Sequence, residues 1–226
     1  MALQRIAIIG AGGLAREVAW IIDEINAVEP RFDLVGFVVS DPRYLAAPGV
    51  PVGPRDSASR LLGDFDWLCA NRSRVDVLVT GIGTPSARLE AAARLAPEFG
   101  PDRWATLVHP TVRLDRASCR LDAGAILCAG VIATVNVHVQ AHALVNLSCT
   151  LGHEAVVGRG CVLNPTVNIS GSVTLGEGVL VGTGAQVLEK IRVGDRATIG
   201  AGAVVTRDVP VETTVVGIPA KPLASR

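Results

Sequence analysis

Every sixth residue from Leu121 onward carries an aliphatic side chain, a spacing that neither an α-helix nor an alternating strand can use. The series runs Leu121, Leu127, Ala133, Val139, Val145, Leu151, Val157, Leu163, Ile169, Leu175, Val181, Val187, Val193, Ile199 and Val205, broken only in residue type at Ala133. Four residues after each stands another apolar and mostly small side chain: Ala125, Val131, Val137, Ala143, Cys149 and so on to Ala203 and Val209. A period of six fits a short strand, a turn, and a rotation onto the next face of a triangular prism. Three hexads make one coil of eighteen residues, so these fifteen hexads predict five coils. At the spacing of parallel strands the prism should stand about 24 Å tall, with Leu, Ile and Val stacked in inward columns. The residue just after the aliphatic one is Gly at 152, 158, 176, 182, 194 and 200 and Asn at 146 and 164, and we read these as turn formers.

The chain has 226 residues, enough for two modest cores, and the repeat divides it into an N-terminal domain over 1–105 and a prism with a C-terminal tail over 106–226. Lys+Arg and Asp+Glu both number 21 without a like-charged block, which argues against a nucleic-acid partner or an anionic membrane and for a small-molecule ligand. The apolar run Ile6 to Ile9 meets Gly10 at once, and no apolar segment of membrane-spanning length follows, so a cytoplasmic protein is expected. Five cysteines (Cys69, Cys119, Cys128, Cys149, Cys161) lack paired C-x-x-C spacing and suit reduced packing residues, with no metal site.

Residues 1–105 read as a small Rossmann-like α/β unit. Arg5 to Ile9 is a buried strand, and Gly10-Ala11-Gly12-Gly13-Leu14-Ala15 opens a helix with Val18, Ile21, Ile22 and Ile25 on one face. Leu34 to Val39 and Val75 to Thr80 are further strands, and a helix with Arg88, Leu89 and Leu95 follows Gly81-Ile82-Gly83. Such alternation implies a parallel sheet. The first turn matches G-x-G-x-x-A, which lets a phosphate approach backbone N–H groups at a helix N-terminus; a tight turn without ligand is the alternative. Asp41, ending the second strand, is placed to accept bonds from ribose hydroxyls, or else initiates a turn before Pro42. The unit is short for a full dinucleotide fold, so a mononucleotide or nucleotide sugar suits it better than NAD.

The repeat, with Gly200-Ala201-Gly202-Ala203-Val204-Val205 and Val216-Gly217-Ile218-Pro219-Ala220-Lys221, resembles the hexapeptide-repeat acyltransferase superfamily. That resemblance implies a left-handed parallel β-helix and a homotrimer. Together with Ile9-Gly10-Ala11-Gly12-Gly13, Phe37 to Asp41, Gly83 to Arg88, Leu107-Val108-His109-Pro110, Asn146-Leu147-Ser148 and Gly152-His153-Glu154, the whole chain is similar to the sialic acid O-acetyltransferases and the N-acetyltransferases of nucleotide-linked 4-amino sugars. Relatives often carry His where this chain has Leu14 and an acidic residue where it has Ser40. The resemblance implies acetyl-CoA as co-substrate and a nucleotide-sugar acceptor met by Gly10, Gly12, Gly13, Asp41, Arg88 and Asn146.

Acetyl transfer from a thioester needs a base and a donor for the tetrahedral oxyanion. The superfamily's motif assigns the base to His153, and the adjacent Glu154 can fix its tautomer. Adding eighteen to 153 reaches Gly171, whose N–H should lie at the same corner one coil on, ready for the thioester oxygen. Adding eighteen to 146 reaches Asn164, predicting a ladder beside the site; turn bonding along the prism is the other reading, more so for Asn164. CoA should run along a groove between prisms, over backbone near Gly182, Gly200 and Ala201, with Lys221 and Arg207 for its phosphates. An amine acceptor is preferred and a sugar O-acetyltransferase is the alternative. A zinc enzyme of the γ-carbonic-anhydrase type would need three gathered histidines, and His138, His142 and His153 fall at three different hexad phases. A decayed, non-catalytic prism is disfavoured by the intact Gly152-His153-Glu154. His109, at the domain junction, reads as a hinge residue with a satisfied ring.

Overall fold

The computed structural model describes residues 2–41 and 60–223. In the N-terminal domain, β1 (Gln4–Ile9), β2 (Phe32–Val39), β3 (Leu61–Asp64) and β4 (Val77–Thr80) form a parallel sheet in the order β3-β2-β1-β4. Helix α1 (Gly13–Val28) joins β1 to β2, and α2 (Phe65–Ala70) and α3 (Pro85–Leu95) lie on the opposite face of the sheet. α1 starts at Gly12 as N-cap and stops at Glu29, the residue before Pro30, where a proline disfavours helical backbone. It buries Val18, Ile21, Ile22 and Ile25, the face anticipated from their spacing, together with Ala15 and Ala19. β3 and α2 were not anticipated, because Leu61-Leu62-Gly63-Asp64 is too short to show a period.

The chain passes from sheet to prism without a linker. The Ala105 N–H donates to Leu78 O on β4, and two residues later the Leu107 N–H donates to Ala125 O inside the prism. From there short parallel strands wind around three faces, making a left-handed parallel β-helix. Its first face stacks Leu107–Val108, Ile126–Leu127, Leu144–Val145, Val162–Leu163, Leu180–Val181, Thr198–Ile199 and Thr214–Val216, closed by an antiparallel Lys221–Pro222. The second face runs from Arg113–Leu114 through Thr150–Leu151 and Asn168–Ile169 to Val204–Val205, and the third from Arg120–Leu121 through Val156–Val157 to Arg192–Val193. Both apolar positions of the hexad point inward and form one continuous apolar core, from Ala125 and Leu127 to Val209 and Val215.

Two expectations need correction. The prism is longer than five coils: a first turn precedes Leu121, beginning at Leu107. Its Leu107 pairs with Ile126, nineteen residues on, instead of eighteen, so one extra residue breaks the phase that the repeat keeps afterwards. At the other end Thr198 pairs with Thr214, sixteen residues on. The glycines following the aliphatic position are not there for turn conformation. Left-handed backbone falls two residues later, at Glu154, Ser172 and Lys190 for example. Gly152 instead makes room: a Cβ there would sit 2.6 Å from Gly171 N, and one on Gly182 would collide with Ala201 N. The next coil therefore approaches at backbone distance.

The first face is covered by the N-terminal domain. Ile126, Leu144 and Val162 point outward from it yet are buried against Ala15, Val18 and Ile22 of α1, in one cluster that spans both domains. Each such side chain contributes roughly 1.5–3 kcal/mol to holding the domains together. α3 adds a second contact, its Leu89 lying against Gly160 and Gly178 at the corner between the third and first faces. The second and third faces, and the corner between them, stay open to solvent on Ile132, Val135, His153 and Thr174.

Candidate active site

The turn 152–155 lies at the corner between the second and third faces. Its backbone is pinned from both sides: Gly152 N–H donates to Ile169 O at 2.8 Å, Glu154 N–H to Val135 O at 3.1 Å, and His153 O accepts from Ser172 N–H at 2.7 Å. The side chain of His153 is 62% exposed. Its ring lies over Gly171, so close that a Cβ on Gly171 would collide with Cε1 and Nε2. Coil arithmetic thus brings residues 153 and 171 together as expected. The Gly171 N–H makes no hydrogen bond with any described residue, which leaves a donor beside the ring.

Glu154 Oε2 hydrogen-bonds His153 Nδ1, which puts the proton on Nδ1 and leaves Nε2 as the acceptor. Glu154 Oε1 accepts from Asn136 Nδ2 at 3.1 Å. Hydrogen bonds from Asn136 and then from His153 hold the Glu154 carboxyl below its ordinary value. Asn136 escaped the sequence reading, although subtracting eighteen from 154 reaches it.

The other anticipated residues distribute over three places. Asn146, Gly182, Gly200 and Ala201 belong to the corner between the first and second faces, one corner away from His153 in the same chain. Asn146 and Asn164 stack in register there but form no side-chain ladder: Asn146 Oδ1 accepts instead from Leu147 N–H at 2.8 Å. Asn146 thus makes a local turn bond, which was expected more of Asn164. Lys221 and Arg207, both exposed, line one cavity of about 290 Å³ at the C-terminal end of the prism, with Thr206, Pro219 and Ala220 between them.

The third place is the crevice at the C-terminal ends of β1 and β4, where the strand order reverses. In open α/β sheets ligands bind at this switch point. Gly10 takes φ +110° and approaches Gly81, a conformation that requires glycine. Ala15 packs on Gly81, whose own Cβ would lie 2.7 Å from Ala15 Cα, so the last position of the fingerprint closes helix onto strand. By contrast a Cβ on Gly12 would meet nothing within 4 Å, and one on Gly13 only Arg16 Nη2 at 4.0 Å, so the space before α1 is open. Asp41 is half-buried just past β2; Pro42 lies outside the described residues.

Arg88 is not available to a substrate. It is fully buried, donating from Nε to His142 O at 3.0 Å and from Nη1 to Ile82 O at 2.6 Å. It ties the loop after β4 to the prism, and desolvation lowers it to about 10. The remaining histidines have separate surroundings. His138 Nε2 pairs with Asp122 at 2.9 Å, and His142 is buried edge-on against Trp104. His109 is buried beside Trp20; its Nδ1 accepts from Thr111 N–H at 3.2 Å, and its Nε2 has no partner, so the hinge ring is only half satisfied. Among the described residues no three His, Cys, Asp or Glu side chains gather in a metal-binding group, and no helix is long and apolar enough to cross a membrane.

An α/β head on a left-handed hexapeptide prism is the architecture of the hexapeptide-repeat acyltransferases, and residues 172–207 match the sequence profile of the bacterial transferase hexapeptide (six repeats). Over the whole chain the fold is similar to a mutant perosamine N-acetyltransferase from Caulobacter crescentus, solved with CoA and GDP-perosamine (25% identity, 99% of each chain, TM-score 0.84). It is also similar to PerB from the same organism, solved with the same two ligands (28% identity, 99% of each chain, TM-score 0.81). The acetyltransferase domain of PglB from Neisseria gonorrhoeae shares the fold (24% identity, 97% of this chain and 100% of that one, TM-score 0.79). A search of curated protein sequences returned no match.

Proposed function

We propose that the chain is an acetyl-CoA-dependent N-acetyltransferase that moves the acetyl group onto the amine of a nucleotide-linked amino sugar, with His153 as general base. The observation that carries this reading is the dyad itself: an imidazole oriented by Glu154 through Nδ1, with Nε2 free above an unpartnered Gly171 N–H. Nε2 takes the proton of the attacking amine as nitrogen bonds to the thioester carbon. The Gly171 N–H receives the oxyanion, and the proton on Nε2 passes to the sulfur as the C–S bond breaks, so product amide and free CoA thiol leave a neutral histidine. Glu154 supports the imidazolium between these steps.

The acceptor's place is the crevice of Gly10, Gly12, Gly13 and Asp41, and the Caulobacter relatives of similar length were solved with GDP-perosamine and CoA. The phosphates of CoA suit the cavity between Arg207 and Lys221. Within one chain these parts do not meet. The N-terminal domain covers the first face, while His153 stands on the opposite corner. Asn146, Gly182, Gly200 and Ala201 stand on a different corner again. A homotrimer resolves this, because the corner between first and second faces of one copy can face the His153 corner of the next. Ile132 and Val135, 44% and 45% exposed near that corner, supply apolar surface for the contact. Acetyl-CoA as donor and five free cysteines suit the cytoplasm.

The test is free-thiol release from acetyl-CoA by the purified protein against nucleotide-linked 4-amino sugars and, separately, sialic acid. Turnover with the amino sugars alone supports the proposal. Turnover with sialic acid alone replaces it with O-acetylation, and release with neither refutes both.

A further inference from the structure

The corner that carries the dyad extends toward the start of the prism as a column at eighteen-residue spacing: Ser118, Asn136, Glu154 and Ser172. Asn136 and Glu154 both adopt left-handed backbone, φ +56° and +58°, a conformation asparagine tolerates well. The Asn136 N–H donates to Ser118 Oγ at 2.8 Å, and Ser118 Oγ–H donates to Asp115 Oδ2 at 2.5 Å. Asn136 is therefore fastened from below before it reaches up to Glu154 Oε1.

We propose that Asn136 is a positioning residue for the transfer reaction: its amide holds Glu154 in the rotamer that offers Oε2 to His153 Nδ1, and so fixes the tautomer and aim of the imidazole. This rests on the reading of His153 as base. Exposed side-chain pairs are weak, since water competes and several rotatable bonds must be stilled. Glu154 and His153 are such a pair, 48% and 62% exposed. A second tether on the other carboxylate oxygen removes most of that freedom. The amide orientation is determined, because the reversed one would set Asn136 Oδ1 against a carboxylate. The same tether lowers the Glu154 carboxyl, which keeps it charged whenever the imidazole needs a partner. The titratable and charged groups on this corner are Asp115 and Arg116 before Asn136, then His153 and Glu154, and, two and three coils past these, Glu189, Lys190, Arg207 and Asp208.

The experiment measures kcat, KM and the pH profile of kcat/KM for acetyl transfer by Asn136→Gly, Asn136→Asp and His153→Ala in the full chain, with the amino sugar that the wild type turns over best. Glycine deletes the tether while keeping φ +56° free of strain; aspartate keeps the shape and adds a charge. Asn136→Gly should lose about tenfold in kcat with both KM values kept. Asn136→Asp should move the acidic limb of kcat/KM upward by about half a pH unit or more, because an added carboxylate favours imidazolium. A purely structural role would lower Tm without moving that limb. Wild-type kcat and an unmoved limb in both variants, beside an inactive His153→Ala, would overturn the role of Asn136 alone. An active His153→Ala would overturn the base assignment as well.

Discussion

The imidazole of His153 rests against the α-carbon of Gly171, a residue eighteen positions later in the chain and one coil away in space. The three nearest atoms to a Cβ built on Gly171 all belong to that ring, and Gly171 does not need positive φ. Gly171→Ala should therefore leave the prism folded and push the imidazole aside. We expect Tm to stay within a few degrees of wild type and kcat to fall about 100-fold, since displacement of a catalytic group by about 1 Å costs this much. Thermal unfolding and steady-state kinetics on the same preparation check it.

Glu154→Gln keeps an oxygen that can accept from Nδ1 but removes the charge that supports the imidazolium. The carboxyl titrates below its ordinary range, so the wild-type charge persists through neutral pH. kcat/KM at neutral pH should drop by about tenfold or more with little change in KM for acetyl-CoA.

Arg207 and Lys221 face one cavity from separate segments of the C-terminal end. Replacing both with alanine should raise KM for acetyl-CoA by about tenfold, leave KM for the acceptor unchanged, and flatten the salt dependence of acetyl-CoA binding. Kinetics at two ionic strengths read this directly.

His142 predicts a pH dependence of stability. Burial, and then the positive charges of Arg88 and Arg159, push its imidazole down to about 4 from an ordinary 6.5. Between those values the unfolded chain binds more protons than the folded one, so stability falls as pH falls from about 6.5 to about 4 and changes little further below from this group. The interval corresponds to on the order of 3 kcal/mol. Tm followed over that range should decline for the wild type and less steeply for His142→Asn, which tolerates the left-handed φ of +59°.

How far the sequence could be read followed from how regular each part is. From Leu121 to Val205 the hexad never loses phase, so inward columns and the meeting of 153 with 171 were legible by counting. The turn before Leu121 was hidden by one inserted residue, and the end of the prism by a coil of sixteen. Gly152 and Gly182 were visible but given the wrong reason, because the close approach of a coil eighteen residues away leaves no local mark. Asn146 was expected beside the site, and within one chain it lies one corner back, because it stands seven residues before His153, one hexad and one residue. Arg88 was expected as a substrate contact from the family resemblance, through the segment Gly83 to Arg88, and nothing in its local sequence marks it as buried. Only packing between domains shows that its partners are the carbonyls of Ile82 and His142.

His153 as general base is the assignment on which the proposed reaction rests. Its most direct test is single-turnover acetyl transfer by His153→Ala, with acetyl-CoA binding and Tm measured on the same protein. A rate lower by about 100- to 10,000-fold is expected while affinity and Tm hold. A transfer rate equal to that of the wild type would contradict the assignment.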